Sequence, residues 1–296
     1  MSFRVARTLA PFGAELEGDL SAPLDAAGQA AFREALYRHG LLVARGQRLP
    51  EGDQARLLSY IGPILTEERG DARRIAPDGV LGAQALSFHS DLAFSPKPFD
   101  VISLHALEVV DGETATRFAS ATRAYRTLPE PLKARIAKVR ILLAHLFEPL
   151  GYDDPVPEWM PHKWQDAVMA HPVTGEPFLT VTEQQTIRVE TLAKPDSDAL
   201  LAELGAHLYA PDNLYRHVWH NGDFLVWDNL ALQHARGDLH QVKRRTLQRV
   251  CVAEATYLEQ HPHLFDFFYA TAETRKVDHP DPHIGRWSPP EERTVR

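Results

Sequence analysis

The chain has 296 residues, 44% of them hydrophobic and 24% charged, and 32 Lys and Arg against 40 Asp and Glu give a formal net charge of −8. This composition excludes a mainly disordered chain, and the acidic balance disfavours a general surface for nucleic acid or acidic lipid. The single cysteine, Cys251, excludes an intrachain disulfide and a Cys-rich zinc site.

The first half of the chain predicts two helices, a long loop and several strands. Apolar residues at helical spacing predict a helix over 24–40, ended by Gly40, and a second helix over 50–60. A short buried strand is predicted at 41–46 between them. The stretch 63–84 mixes Pro, Gly and charge, so we predict a loop there and a candidate lid over an active site. Further strands are expected at 85–94, 100–110 and 113–118, the second with clear alternation of apolar residues.

The second half predicts short strands with a few helices. Two short helices are expected over 119–137, a Pro-rich insertion over 149–165, and a longer helix over 196–209 that begins at Asp196 or Ser197. The remaining strands are expected at 139–147, 167–171, 177–182, 213–220, 224–228 and 244–255.

This pattern of many short strands and peripheral helices indicates a mainly β fold, a sandwich or a jelly roll. We find no internal repeat and no linker, so we expect one domain over 1–296 with a Pro-rich C-terminal tail from about 260. No apolar run approaches the roughly 18 residues of a membrane span, and the first residues lack the apolar segment of a secretory signal. We therefore expect a cytoplasmic protein with no membrane and no nucleic-acid partner.

The 15 histidines are the first pointer to chemistry, because histidine supplies metal ligands and proton carriers at neutral pH. His89-Ser90-Asp91 lies in a predicted strand, where residues i and i+2 point to one face, so the imidazole and the carboxylate could hold one ion. The motif alone is weak, since His279-Pro280-Asp281 repeats it in the polar tail and an ordinary core or surface histidine is the alternative.

A two-histidine, one-carboxylate metal site needs a second, distant histidine. His234 has the best context, because it follows a strand ending at Asp228 in GDFLVWDNLALQHARGD. The rivals are His217, His220 and His240. His217 alternates with two aromatic residues on one strand, which favours a packing or pocket role for it.

The segment RRTLQRVCV predicts a strand on which Arg245, Leu247, Arg249 and Cys251 share one face. Two arginines on an apolar face are costly to bury unless anions meet them. An exposed edge strand is one interpretation. A carboxylate-binding site is the other, since guanidinium groups pair bidentately with carboxylates.

In combination these segments resemble the taurine dioxygenase/TfdA family of Fe(II)- and 2-oxoglutarate-dependent oxygenases. The resemblance rests on FHSD, the Gly-Glu-Thr at 112–114, HPVTGEPFLTVTE, WDNLALQHARGD, and two arginines at the family's spacing after the distal histidine. It covers roughly residues 8–257 and implies a double-stranded β-helix (jelly-roll) fold with helices around it.

The resemblance also implies a set of site residues. It makes His89, Asp91 and His234 the catalytic Fe(II) ligands, with O2 as the second cosubstrate. It makes Thr114 and Arg245 the groups that bind the distal carboxylate of 2-oxoglutarate. Arg249 falls where the family has an arginine near the C1 end of 2-oxoglutarate and, in several members, near the acidic group of the substrate.

The expected substrate contacts are less specific. Ala85 and the lack of a histidine between His39 and His89 depart from the taurine enzyme, so sulfonate recognition of that kind is not expected. Val181-Thr182-Glu183 replaces the family's Val-Asn-Glu beside the pocket. The candidate substrate contacts are Phe88, Phe94, Phe147, Gln185, Trp219 and Arg249, although ordinary core packing is an equal interpretation for each aromatic.

The resemblance implies an enzyme that hydroxylates a C–H bond of a small organic substrate, an organic acid or a compound with an aromatic body, and releases succinate and CO2. Asp91 favours hydroxylation over halogenation, because related halogenases lack the carboxylate. Desaturation or oxidative cleavage with the same cofactors, a non-catalytic jelly-roll binding protein and a zinc hydrolase are the alternatives. The resemblance also implies a homo-oligomer, either a dimer or a tetramer.

Overall fold

The computed structural model describes residues 3–66, 74–79, 82–145 and 150–264. The strands in chain order are β1 Phe3–Thr8, β2 Ala14–Gly18, β3 Leu41–Ala44, β4 Arg74–Ile75, β5 Leu86–His89, β6 Val101–Val109, β7 Ala115–Ser120, β8 Arg140–Ala144, β9 His162–Asp166, β10 Val168–Ala170, β11 Pro177–Leu179, β12 Thr186–Val189, β13 Leu214–Val218, β14 Phe224–Asp228, β15 Leu232–Arg236 and β16 Arg245–Val252. The helices are α1 Ala26–His39, α2 Glu51–Ser59, α3 Ala121–Thr127, α4 Glu130–Ile136, α5 Lys194–Leu208 and α6 Tyr257–Gln260.

Two sheets form the body of the molecule. The larger has seven strands in the order β1-β2-β3-β14-β6-β16-β4, and the smaller has four in the order β13-β7-β15-β5. Strands that are distant in sequence are neighbours in both sheets, as when β14 pairs antiparallel with both β3 and β6. With helices around them, the two sheets make the predicted jelly roll.

The two sheets share a buried core. From the larger sheet, Val43, Leu104 and Leu247 contribute to it, and from the smaller sheet Phe118 and Leu232. The period of two along each strand decides which residues enter this space. On β16, Leu247 and Cys251 belong to this core. Arg245 and Arg249 lie two residues from them along the strand and share their face, so both arginines point between the sheets.

Helices cover the outer face of each sheet. Phe32 and Leu36 of α1 and Leu57 of α2 pack on the larger sheet against Val226 and Val250. The smaller sheet packs through Phe88, Ala119 and Ala235 against α3, α4 and α5. The chain is therefore layered as helices, large sheet, small sheet and helices, and the inner sheet faces are left for the site.

Several predicted elements differ from the observed ones. The predicted loop over 63–84 contains β4, which pairs with β16, and a bridge from Ile64 to Val252, because both extend the edge of the large sheet. The Pro-rich stretch 149–165 contains most of β9, which pairs along β8. The helix predicted from Asp196 or Ser197 begins at Lys194, since the Ser197 hydroxyl accepts a hydrogen bond from the Val189 N–H and does not cap the helix.

Strands at the N-terminus were not predicted. β1 and β2 form an antiparallel hairpin, and β2 runs parallel to β3 at the edge of the large sheet. Residues 67–73 of the candidate lid, Phe147 and the tail beyond Leu264 lie outside the described residues. None of the helices in the described ranges is long and apolar enough to cross a membrane.

Candidate active site

Three side chains of the types that ligate metal ions meet between the two sheets. Donor atoms of His89, Asp91 and His234 all lie within 4.8 Å of one another, and among the described residues this is the group of His, Cys, Asp and Glu that could hold a metal ion. Asp91 Oδ1 lies 3.3 Å from His89 Nε2 and 3.6 Å from His234 Nε2. All three side chains are largely buried, with exposed fractions of 10 to 18%.

Strand pairing brings the two histidines together. β15 lies between β7 and β5, and the register places His234 opposite His89. Their ring centroids are 4.3 Å apart. His234 shares the inner face of β15 with Leu232, whose side chain belongs to the core between the sheets.

Asp91 reaches the site by a different geometry from the one expected. β5 ends at His89, and Asp91 lies in the turn that follows, so the two residues do not share a strand face. The turn returns the carboxylate toward the imidazole. The expectation of strand alternation was therefore wrong, although the two side chains do lie side by side.

The environment favours a charged Asp91 and a neutral His234. Burial alone would raise the pKa of Asp91, but its interactions with the imidazoles of His89 and His234 and the charge of Arg249 together hold it well below its usual range. Burial, and then the nearby His89, lower the pKa of His234 to about 3. A carboxylate and neutral imidazoles are the protonation states that bind a metal ion.

The tautomer of His89 supports a cation at this point. His89 Nδ1 lies 2.7 Å from the Ser87 carbonyl, which can only accept, so Nδ1 carries the hydrogen. In the neutral ring the lone pair of Nε2 then faces the Asp91 carboxylate at 3.3 Å. Two lone pairs at this distance repel unless a proton or a cation lies between them. The donor set therefore fits a bound metal ion, and two imidazoles with one carboxylate suit Fe(II).

Two further buried residues, Arg245 and Thr114, have donor atoms of a kind that binds a carboxylate. Arg245 is 3% exposed and Thr114 is 8% exposed. Arg245 Nε and Nη1 and the Thr114 hydroxyl find no hydrogen-bond partner in the part of the chain that the structure describes. Burial, and then the charge of Arg236, lower the pKa of Arg245 to about 9. A buried guanidinium with open donors is stabilised by a carboxylate, which it binds with two hydrogen bonds.

Arg249 lies beside the three candidate donors. Its Nη1 donates to Asp91 Oδ2 at 3.3 Å, and its side chain is 12% exposed. The guanidinium also lies over the ring of Phe99, at 5.9 Å from the centroid. Arg249 thus places a positive charge within reach of anything bound at the three donors.

The predicted substrate contacts fall in different surroundings. Phe88 and Trp219 are fully buried: Phe88 stacks on Tyr209, and the Trp219 indole donates to the Thr116 hydroxyl. Phe94 packs in an aromatic and imidazole cluster of the described residues with His145, Tyr257 and His261. Phe147 lies outside the described residues. These packing environments do not test contact with a substrate, which stays a prediction for each of them.

Gln185 contacts the segment that carries His89 and Asp91 directly. Its side-chain Nε2 donates to the Ser90 carbonyl at 3.0 Å, and its Oε1 accepts from the Thr182 hydroxyl. In the same segment, the Gln184 N–H donates to the Phe88 carbonyl. The stretch that was expected to border the pocket therefore supports the turn between His89 and Asp91.

Two buried residues were missed by the sequence. Arg236 lies two residues after His234 on β15, and this spacing could have predicted that it shares the inner face of the strand. Its Nη2 donates to the Gly82 carbonyl at 2.6 Å. Asn229 bonds to the main chain of Asp91. No local pattern reveals that contact, because it joins segments 138 residues apart.

Comparisons with known proteins point to one family. The family model described as "Taurine catabolism dioxygenase TauD, TfdA family" matches residues 6–251. The chain is 28% identical over 263 residues to an alpha-ketoglutarate-dependent sulfate ester dioxygenase of Pseudomonas putida, covering 81% of this chain and 86% of that protein. It is 27% identical over 277 residues to an (S)-phenoxypropionate/alpha-ketoglutarate dioxygenase of Sphingobium herbicidovorans, covering 83% and 93%.

Among solved structures, a taurine dioxygenase from Burkholderia xenovorans superimposes with a TM-score of 0.71 at 25% identity, covering 86% of this chain and 91% of that one. The family match spans far more than half of the chain, and the TM-score indicates a shared fold. The chain belongs to the taurine dioxygenase/TfdA family and is an Fe(II)- and 2-oxoglutarate-dependent dioxygenase that acts on a small organic substrate.

Proposed function

We propose that the enzyme hydroxylates a C–H bond of a small organic acid with an apolar or aromatic body, with release of succinate and CO2. His89, Asp91 and His234 would hold Fe(II), which supplies the activation of O2 when it is bound. The observation that carries the proposal is the convergence of these three donors with the Arg249 guanidinium, 3.3 Å from Asp91.

Different side chains would bind the cosubstrate and the metal ion. Thr114 and Arg245 would take the distal carboxylate of 2-oxoglutarate, because their buried donors have no partner in the described residues. The three donors would leave open the positions that the keto acid and O2 need, as a two-histidine, one-carboxylate set does in non-haem iron oxygenases. The burial of the three donors between the sheets would limit the access of water to the reacting groups.

Arg249 supports an acidic substrate. Its guanidinium is largely buried and lies 3.3 Å from Asp91, beside the three donors. A carboxylate or sulfate ester of a substrate bound there would pair with this charge. The relatives named above act on sulfate esters and on phenoxypropionate, both of which are anions. Phe88, Phe94, Phe147, Gln185 and Trp219 stay candidates for the substrate body.

The first experiment tests the metal and cosubstrate site. Fe(II) and 2-oxoglutarate are added to anaerobic apoprotein, and the visible metal-to-ligand charge-transfer band is recorded. We expect the band in the unaltered protein and in His220→Ala, whose imidazole is half exposed, and its loss in His234→Ala. Absence of the band in all three proteins, with tight zinc binding instead, would support a hydrolase and overturn the proposal.

The second experiment tests the substrate class. Succinate release is measured with aryloxyalkanoates, alkyl sulfates and aliphatic carboxylates, each beside its uncharged amide or alcohol analogue. We expect the acids to stimulate release more than their analogues, and Arg249→Gln to remove most of that difference. Equal stimulation by acids and uncharged analogues would contradict an acidic substrate. Analysis of the product separates hydroxylation from desaturation or oxidative cleavage.

A further inference from the structure

The main chain of Asp91 is held by one side chain from a distant segment. Asn229 is fully buried. Its Oδ1 accepts the Asp91 N–H at 2.9 Å, and its Nδ2 donates to the Asp91 carbonyl at 3.0 Å and to the Phe99 carbonyl at 2.8 Å. The side-chain amide therefore uses both its donor hydrogens and its acceptor oxygen to bind the two ends of the loop that runs from Asp91 to Phe99.

The backbone next to Asp91 needs such support. Leu92 has a φ of 58°, in the left-handed region, and among the described residues only Thr191 is another non-glycine with positive φ. This conformation is unfavourable for a residue with a bulky side chain, so the surrounding structure must enforce it. Hydrogen bonds from the Ala93 N–H to Ser90 and from the Ser95 N–H to Leu92 close the turn around it.

Asn229 is itself fixed in place. Its N–H donates to the Asp100 carbonyl at 2.9 Å. The preceding residue, Asp228, accepts the N–H groups of Leu230 and Ala231, and its other oxygen lies 2.9 Å from His171 Nε2. This turn leads directly into β15, which carries His234. Asn229 thus links the segment that carries Asp91 to the segment that carries the opposite histidine.

From these contacts we infer that Asn229 is a positioning residue for the metal site: it holds the strained Leu92 turn so that the Asp91 carboxylate faces His89 and His234. The inference rests on the proposed function, because it concerns the affinity of the same three donors for a metal ion. Asn229 touches none of the donor side chains in the hydrogen bonds described, so it acts through the backbone of Asp91.

The test compares two buried asparagines. Asn213 is 2% exposed, and its Nδ2 donates to the carbonyls of Ser120 and Leu208, away from the three donors. Asn229→Ala and Asn213→Ala remove similar bonds and should lower the melting temperature by similar amounts. Mn(II) binding to apoprotein is then titrated by electron paramagnetic resonance. We expect a loss of affinity of about 10- to 100-fold in Asn229→Ala and none in Asn213→Ala.

Two further variants test the backbone route. Leu92→Gly removes the penalty of the left-handed φ. Added to Asn229→Ala, it should restore part of the Mn(II) affinity although it adds no contact to the metal. If Asn229→Ala does not fold, Asn229→Ser replaces it. The serine hydroxyl can still donate to one of the two carbonyls, so Asn229→Ser should lose less Mn(II) affinity than Asn229→Ala.

The outcomes separate the two claims. Failure of the unaltered protein to bind Mn(II) would refute the proposed metal site and this inference with it. Binding by the unaltered protein with equal affinity in the Asn229 variants would refute the positioning role alone. Equal losses of affinity in the Asn229 and Asn213 variants would also refute it, since stability alone would then explain the effect. No recovery of affinity with Leu92→Gly would refute it as well, because the strained turn would then not be what Asn229 holds.

Discussion

At the scale of the residue, Arg245 makes opposite contributions to the stability of the apoprotein and to cosubstrate binding. Its buried Nε and Nη1 lack partners in the described part of the chain, and a buried charge of this kind is costly. We expect Arg245→Met to raise the apoprotein's free energy of unfolding by about 1 kcal/mol. The same change should weaken 2-oxoglutarate binding by about 10- to 100-fold, because a charge-assisted hydrogen bond contributes about 1.5–3 kcal/mol.

Arg244 supplies the control for this prediction. It is adjacent in sequence but mostly exposed, and its Nη1 lies 3.7 Å from Glu108. Arg244→Met should leave both quantities nearly unchanged, since exposed ion pairs contribute little. Denaturant unfolding and 2-oxoglutarate titration of the metal-loaded protein measure the two effects. A less stable Arg245→Met apoprotein would show that the guanidinium is already satisfied without an anion.

At the scale of the element, α1 stabilises the fold from the side of the large sheet opposite the site. Its N-terminus is capped by Asp25, whose Oδ1 accepts the Gly28 N–H at 2.7 Å. We expect Asp25→Ala to lower the free energy of unfolding by about 1 kcal/mol and to leave turnover unchanged. Asp25→Asn, which keeps the accepting oxygen, should behave like the unaltered protein in urea unfolding. A loss of turnover in Asp25→Ala would show that α1 is coupled to the site.

The elements also show what the sequence could predict. The period of two on β16 predicted that Arg245 and Arg249 share a face with Leu247 and Cys251, and that face lies in the core between the sheets. The pattern did not decide between an exposed edge strand and a buried one, because that depends on β6 and β4, which pair with β16 from distant parts of the chain. β9 was missed, since an edge strand pairs on one side only and needs little hydrophobic pattern. The turn at Asp91 was missed as well, because the Leu92 conformation depends on Asn229 from a segment 138 residues away.

At the scale of the whole molecule, buried histidines make the fold sensitive to acid. Burial, and then the charge of His261, lower the pKa of His145 to about 4. Burial is also the main cause that lowers the pKa of His261 to about 4. Between the ordinary histidine pKa of 6.5 and these values, the unfolded chain binds more protons than the folded one. The free energy of unfolding should therefore fall as the pH decreases from 6.5 to 4, and should be insensitive to these groups above 6.5. Asp91 does not contribute in this pH range. Its pKa is lowered from 3.8 in the folded protein, so its contribution to the free energy of unfolding is lost only below about pH 3.8.

His145 provides the test of this acid sensitivity. His145→Gln stays neutral at every pH and keeps a polar group toward the Tyr257 hydroxyl, which lies 3.1 Å from His145 Nδ1. We expect the loss of unfolding free energy between pH 6.5 and pH 5 to shrink by about 1–2 kcal/mol in this variant. Urea unfolding of the metal-free protein at pH 7, 6 and 5 measures the change, with His220→Gln as the exposed control. Parallel pH profiles for the unaltered protein and His145→Gln would mean that His145 binds its proton equally in both states, and the acid sensitivity would then have to come from other groups.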